Sequence, residues 1–76
     1  MKAFVLIKIH AGEVREVVRQ LREVELVTEA HMTFGPYDAV AVMDSAELAD
    51  IGRLIATTIQ TISGVEQTLT CLAVEV

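Results

Sequence analysis

Reactive side chains are scarce in this sequence: two His, one Cys and one Tyr among 76 residues. His10 and His31 have no nearby Cys or suitably spaced carboxylate, so they make a poor metal-ligand set even if the fold brings them together. Cys71 lies in the apolar run Leu69-Thr70-Cys71-Leu72-Ala73, where a thiol is expected to act as a small buried hydrophobe. No nucleophile–base pair or paired acid–base carboxylates stand out, and Gly12, Gly35, Gly52 and Gly64 are too scattered to cradle a phosphate. If the chain is an enzyme, His10 and Tyr37 are the candidate acid, base or proton donor. A small dimeric monooxygenase or isomerase working in a cavity between sheets is the reading they would support.

Binding chemistry concentrates in Thr33-Phe34-Gly35-Pro36-Tyr37-Asp38, which holds the only Pro and the only Tyr. Gly35 tolerates the geometry needed before a proline, and Pro36 presets φ for the next turn position. The Asp38 carboxylate can brace the turn by accepting backbone N–H bonds, or anchor an ammonium group by a charge-assisted bond. Tyr37 fits a ligand cleft or a packing contact at a strand end. Phe34, at the tip, reads as an oligomer contact.

The elements that must carry this turn are legible from periodicity. Ala3 to His10 reads as a strand with Val5, Ile7 and Ile9 on one face and Phe4, Leu6, Lys8 and His10 on the other. Glu13 to Glu23 reads as a helix with the stripe Val14, Val17, Val18, Leu21. Its interleaved Arg15, Arg19 and Arg22 form a solvated face. Val27 to Thr33 alternates with one polar side, as an edge strand does. Ala39 to Met43 is apolar on both faces and reads as a central strand, with Met32 and Met43 as packing residues. Asp44 and Glu47 have capping-box spacing before a second helix through Leu48, Ile51, Leu54, Ile55, Ile59 and Ile62. Ser63-Gly64 closes that helix, and Val65 to Val76 reads as the last strand.

The order β-α-β-β-α-β predicts a ferredoxin-like α+β domain over residues 1–76, with a four-stranded antiparallel sheet in the order 4-1-3-2. Both helices fall on one face, while three strands are apolar on both. The chain is 53% hydrophobic, more than so small a domain can hide, and a second copy packed sheet to sheet is expected on the open face. His10, the Ala11-Gly12 turn, the hairpin tip and the Gly64 turn should share one rim. The net charge of −5 argues against direct nucleic-acid binding, and one Cys fits a reducing cytoplasm. No stretch is long enough to span a bilayer.

Gly35-Pro36-Tyr37-Asp38 resembles the Gly-x-Tyr-Asp hairpin of the effector-binding (RAM, regulator of amino acid metabolism) domain in Lrp/AsnC transcription regulators. Val27, eight residues before Gly35, is similar to the apolar residue that opens that family's second strand. Gly64-Val65-Glu66-Gln67-Thr68-Leu69-Thr70 is similar to its Gly-Val-x-x-Thr-x-Thr pattern, and Gly12 opens the first helix at the family's place. The resemblance implies an amino-acid effector held between subunits near the hairpin, with Phe34, Gly35, Pro36, Tyr37, Asp38 and His31 as the ligand-binding residues. It implies a dimeric α/β-barrel-like assembly, rings of dimers such as an octamer, no cofactor, and mixed assembly with full-length Lrp/AsnC-type regulators. Met1-Lys2 leads straight into the first strand, so a stand-alone module without the helix-turn-helix is expected.

Overall fold

Ala3, Val5, Ile7 and Ile9 are buried, while Phe4, Leu6 and Lys8 between them stay partly open. That alternation is the pleat of β1 (Lys2–Ile9). The computed structural model describes residues 1–76, which continue as α1 (Val14–Leu21), β2 (Val27–Met32), β3 (Ala39–Asp44), α2 (Leu48–Leu54) and β4 (Val65–Leu72). A π-helical stretch, Ile55–Ile59, extends α2. The sheet order β2-β3-β1-β4 is the expected 4-1-3-2 read from the other edge, and each neighbouring pair is antiparallel. This is the βαββαβ ferredoxin-like fold. No helix is long and apolar enough to cross a membrane.

The core is one cluster of 17 buried residues. Small residues on the helix-covered face (Ala3, Ala30, Ala39, Ala41) let the helices come close enough for Val17, Val18, Leu21, Ile51 and Ile59 to fill the gaps. Val42 is also buried, but lies outside that cluster. It faces the other way, opposite Phe4 on β1 and Glu29 on β2. Directly paired residues share a face, so Phe4, Leu6, Val40, Val42, Leu69 and Cys71 form an apolar band on the side without helices.

Several local expectations are corrected. The Asp44–Glu47 capping box does not form: Asp44 ends β3 and approaches the Met1 ammonium at 3.5 Å, while Ser45 Oγ accepts the Glu47 N–H. With the helix starting at Leu48, that side chain is left exposed rather than in the core stripe. The first helix spans only Val14–Leu21, short of both Glu13 and Glu23. The last strand stops at Leu72, although Ala73 N–H still reaches the Lys2 carbonyl at 2.8 Å. Cys71 is exposed, because it sits on the uncovered face of an edge strand and not in a core.

The π-helical stretch has two causes in the sequence. Core residues Ile51, Ile55 and Ile59 repeat every four positions, which overshoots a 3.6-residue turn by about 40° each time. A wider turn, with Gln60 N–H bonded to the Ile55 carbonyl, brings Ile59 back to the core. The hydroxyls of Thr57 and Thr61 meanwhile take the Arg53 and Thr57 carbonyls.

On α1, Arg19 holds Glu16 by a two-pronged contact (2.6 and 2.9 Å) and Gln20 adds a third bond at 2.7 Å. These bonds, Arg19's first, lower the Glu16 carboxyl from its usual 4.5 to about 2. A lowered folded-state value means the stabilisation is complete above pH 4.5 and disappears as pH falls toward 2. Both side chains are solvent-exposed, so the effect is small and weakened by salt. Urea unfolding across that window should therefore lose less stability on acidification in Glu16→Gln than in the wild type.

Candidate functional site at the hairpin rim

The hairpin between β2 and β3 is tied at both ends by its own residues. Thr33 N–H bonds the Asp38 carbonyl at 3.0 Å, and the Thr33 hydroxyl donates to the Tyr37 carbonyl at 2.8 Å. Gly35 sits at φ 129°, a region an L side chain rarely adopts, which lets the chain reverse ahead of Pro36. Phe34, Gly35 and Pro36 are exposed, Phe34 fully, and Tyr37 and Asp38 are half-buried.

Asp38 grips β1 at two points. Its backbone N–H donates to the Ile7 carbonyl at 2.9 Å, and its carboxylate Oδ2 accepts the Ile9 N–H at 2.8 Å. The turn-bracing role is thus real and takes one carboxylate oxygen. Oδ1 has no partner in the chain, and since no buried polar side-chain atom is unsatisfied it is not sealed in the interior. Lys8, whose ammonium donates to the Pro36 carbonyl at 3.2 Å, joins the same rim. Periodicity places Lys8 only on a pleat face; its reach across the turn has no spacing signal. Thr33, to which the sequence assigns no role of its own, fixes the turn through its hydroxyl.

His10 bonds the Gly64 carbonyl through its backbone N–H at 2.8 Å, so the Gly64 turn shares this rim. Gly64 has φ 100°, and a Cβ there would sit 3.2 Å from Glu13 and Val17, so the start of α1 closes directly onto it. The His10 ring faces Glu66 of β4 at 3.4 Å, whereas His31 pairs with Glu29 of β2 at 3.1 Å. The histidines are therefore apart, His10 past the end of central β1 and turned to β4, and His31 on the opposite edge strand β2. No three His, Cys, Asp or Glu side chains come together in a metal-binding group. His31 lies on β2 opposite Val40, on the open face, and not in the turn with the other five predicted residues.

The single chain has five surface clefts, and Phe34–Asp38 line none of them. The rim is a convex tip presenting a carboxylate oxygen, an ammonium group, a phenol and an apolar ring. Such groups can bind a small zwitterion once another surface closes over them.

The sequence description of the Lrp/AsnC ligand binding domain matches residues 2–76, and the chain belongs to that family. Among solved structures it is similar to TTHA0845 from Thermus thermophilus, at 31% identity over 99% of this chain and 94% of that one, with a TM-score of 0.92. It is also similar to FFRP-DM1, at 30% identity over 96% and 97% of the two chains, TM-score 0.89. The transcriptional regulator NMB0573 of Neisseria meningitidis, solved as a complex with L-Met, shares the fold (TM-score 0.85) at 17% identity, over 97% of this chain and 49% of that one. No curated protein matches.

Loss of the Asp38 bond to Ile9 should be costly, because charge-assisted bonds contribute about 1.5–3 kcal/mol. Asp38→Ala should lower the urea-unfolding free energy by about 1–3 kcal/mol, whereas Asp38→Asn, which keeps an acceptor, should cost under about 1 kcal/mol.

Proposed function

We propose that this chain is an effector-binding and assembly module, with residues 1–76 acting as one domain. It senses a small amino acid at subunit interfaces near the hairpin and acts without catalysis. The observation that carries this reading is the division of labour in Asp38: Oδ2 is committed to the fold, and Oδ1 is free to receive an α-ammonium. Lys8 is placed to meet a carboxylate, while Tyr37 and Phe34 supply apolar surface. The family match supports an effector-binding role, and the complex of NMB0573 with L-Met supports the effector class.

The other half of the reading is assembly. Phe4 and Leu69 are exposed in the apolar band centred on Val42, and a second copy of the sheet would cover them. The cleft missing from the single chain would then be built between subunits, from homodimers or rings of dimers. An effector that fits one assembly better shifts the population toward it by mass action. Co-assembly with a full-length Lrp/AsnC-type regulator in the cytoplasm would pass that shift to DNA, which this acidic chain does not itself contact.

Calorimetric titration with the twenty protein amino acids, paired with light scattering, tests the proposal. The expected result is millimolar or tighter binding of one amino acid or a small chemical group of them, accompanied by a change in mass. Asp38→Asn should keep the fold and lose at least about tenfold in affinity, the equivalent of about 1.4 kcal/mol. Silence across the panel, or unchanged binding in Asp38→Asn, overturns it. Val42→Glu should remain folded by circular dichroism but lose the sheet-to-sheet pairing, seen as a fall in mass.

A further inference from the structure

Only six residues of this acidic chain are Lys or Arg, and three of them, Arg15, Arg19 and Arg22, line one cleft. The cleft lies on the helix-covered side between α1 and the edge strand β2. Its volume is about 370 Å³, and Glu16, Val18 and Met32 complete the lining. Met32 turns to this side because its pleat parity is that of Ala30, which is buried under the helices. None of Phe34–Asp38 takes part, so the cleft is separate from the hairpin rim.

The three arginines are all exposed, but they do not share one role. Arg19 is consumed by Glu16 and Glu23. Arg22 spends only its Nε, on the outward carbonyl of Ala30 at 3.0 Å. That bond anchors the guanidinium at the β2 edge and leaves both Nη groups without a partner in the chain. Arg15 has no side-chain hydrogen bond or ion pair. Arg15 and Arg22 are seven residues apart, nearly two full turns, so they lie along one line of α1 about 10 Å from each other. Beside that line Val18 is buried and Met32 is 53% exposed, an apolar floor open to solvent.

Three guanidinium groups meet one carboxylate in this lining, and Glu23, on the outer side of Arg19, reduces the local excess to a single positive charge. The carboxylate of the lining is already engaged, since Arg19 and Gln20 give Glu16 three bonds of 2.6, 2.7 and 2.9 Å. It is not available to an incoming ammonium.

We propose that this cleft binds apolar monocarboxylates that lack an amino group. The two Nη groups of Arg22 form a fork that matches the two oxygens of a carboxylate, and Arg15 adds a second cation. The apolar body lies over Val18 and Met32, whose unbranched thioether adapts to its shape. Charge selects this occupant. A monoanion balances the local excess, whereas a polyanion meets the repulsion of a chain at −5. A zwitterion would bring its ammonium against Arg15 and Arg22. The site stands whether or not an amino acid binds at the hairpin.

Hexanoate is the probe, compared with acetate, hexylamine and norleucine, which is hexanoate with an α-amino group. Binding is read by calorimetry and by NMR of the methionine methyls and the lone tyrosine ring. Hexanoate should bind saturably in the millimolar range and move the Met32 methyl signal, while that of the buried Met43 stays in place. The other three should act on Met32 at least about tenfold more weakly. An amino acid held at the hairpin moves Tyr37 instead, so the two sites succeed or fail separately. Arg22→Gln, which removes the fork, and Met32→Glu, which charges an exposed floor residue, should each weaken hexanoate at least about tenfold. Arg15→Gln, at a side chain that bonds nothing in the chain, should also weaken it and keeps the test open if loss of the Ala30 contact disturbs β2. Lys2→Gln, which removes a charge at the start of β1, should leave hexanoate binding unchanged. Absence of saturable binding overturns the proposal. So does a shift at Tyr37 in place of Met32, equal action of norleucine on Met32, or unaltered affinity in Arg15→Gln, Arg22→Gln and Met32→Glu.

Discussion

Burial in this chain is unequal between the two sides of its sheet, and the rest of the structure follows from that. Helix residues fill in behind the alanines of β1, β2 and β3 to make the 17-residue core, while Val42 is hidden on the other side only by its own neighbours. A domain of this length buries only about 60% of the surface its unfolded chain exposes, so the core alone leaves a thin margin. The apolar band around Val42 would add stabilisation if a second surface excluded water from it.

Asp38 links that architecture to the rim. By holding both the Ile7 carbonyl and the Ile9 N–H, it makes the end of β1 and the start of β3 one mechanical unit. A ligand charge placed against Oδ1 would polarise the bond that Oδ2 already makes, so recognition and strand position would share one carboxylate. Lys8 does the same from the other side, since its ammonium bridges β1 to the Pro36 carbonyl.

Much of this could be read from the letters, for reasons that are local. Val5, Ile7 and Ile9 alternate strictly, Ala39 to Met43 is apolar throughout, and Gly35-Pro36 dictates a turn; each signal survives into the fold because nothing tertiary competes with it. Sequence and structure part where a competitor exists. Asp44 has the spacing of a helix cap, but β3 pairing runs through it and the chain's own amino group draws its carboxylate. Cys71 has apolar sequence neighbours, yet its strand is an edge, and burial depends on what lies beside a strand rather than along it. The π-helical turn is invisible to a 3.6-residue template because the four-residue isoleucine spacing fits that template well enough to pass. At the rim, five of the six predicted residues are contiguous and come together trivially. His31 is set apart by pleat parity, and Lys8 is unreadable because a long flexible side chain has no period.

Arg22 has one consequence for how these sheets can grow. By occupying the outward carbonyl of Ala30, its guanidinium closes one of the two borders that an incoming strand could otherwise extend. A sheet with two receptive borders propagates without limit, and fibres result. A basic side chain that stoppers one border removes one of the two routes by which such a sheet could extend, which restrains edge-to-edge aggregation.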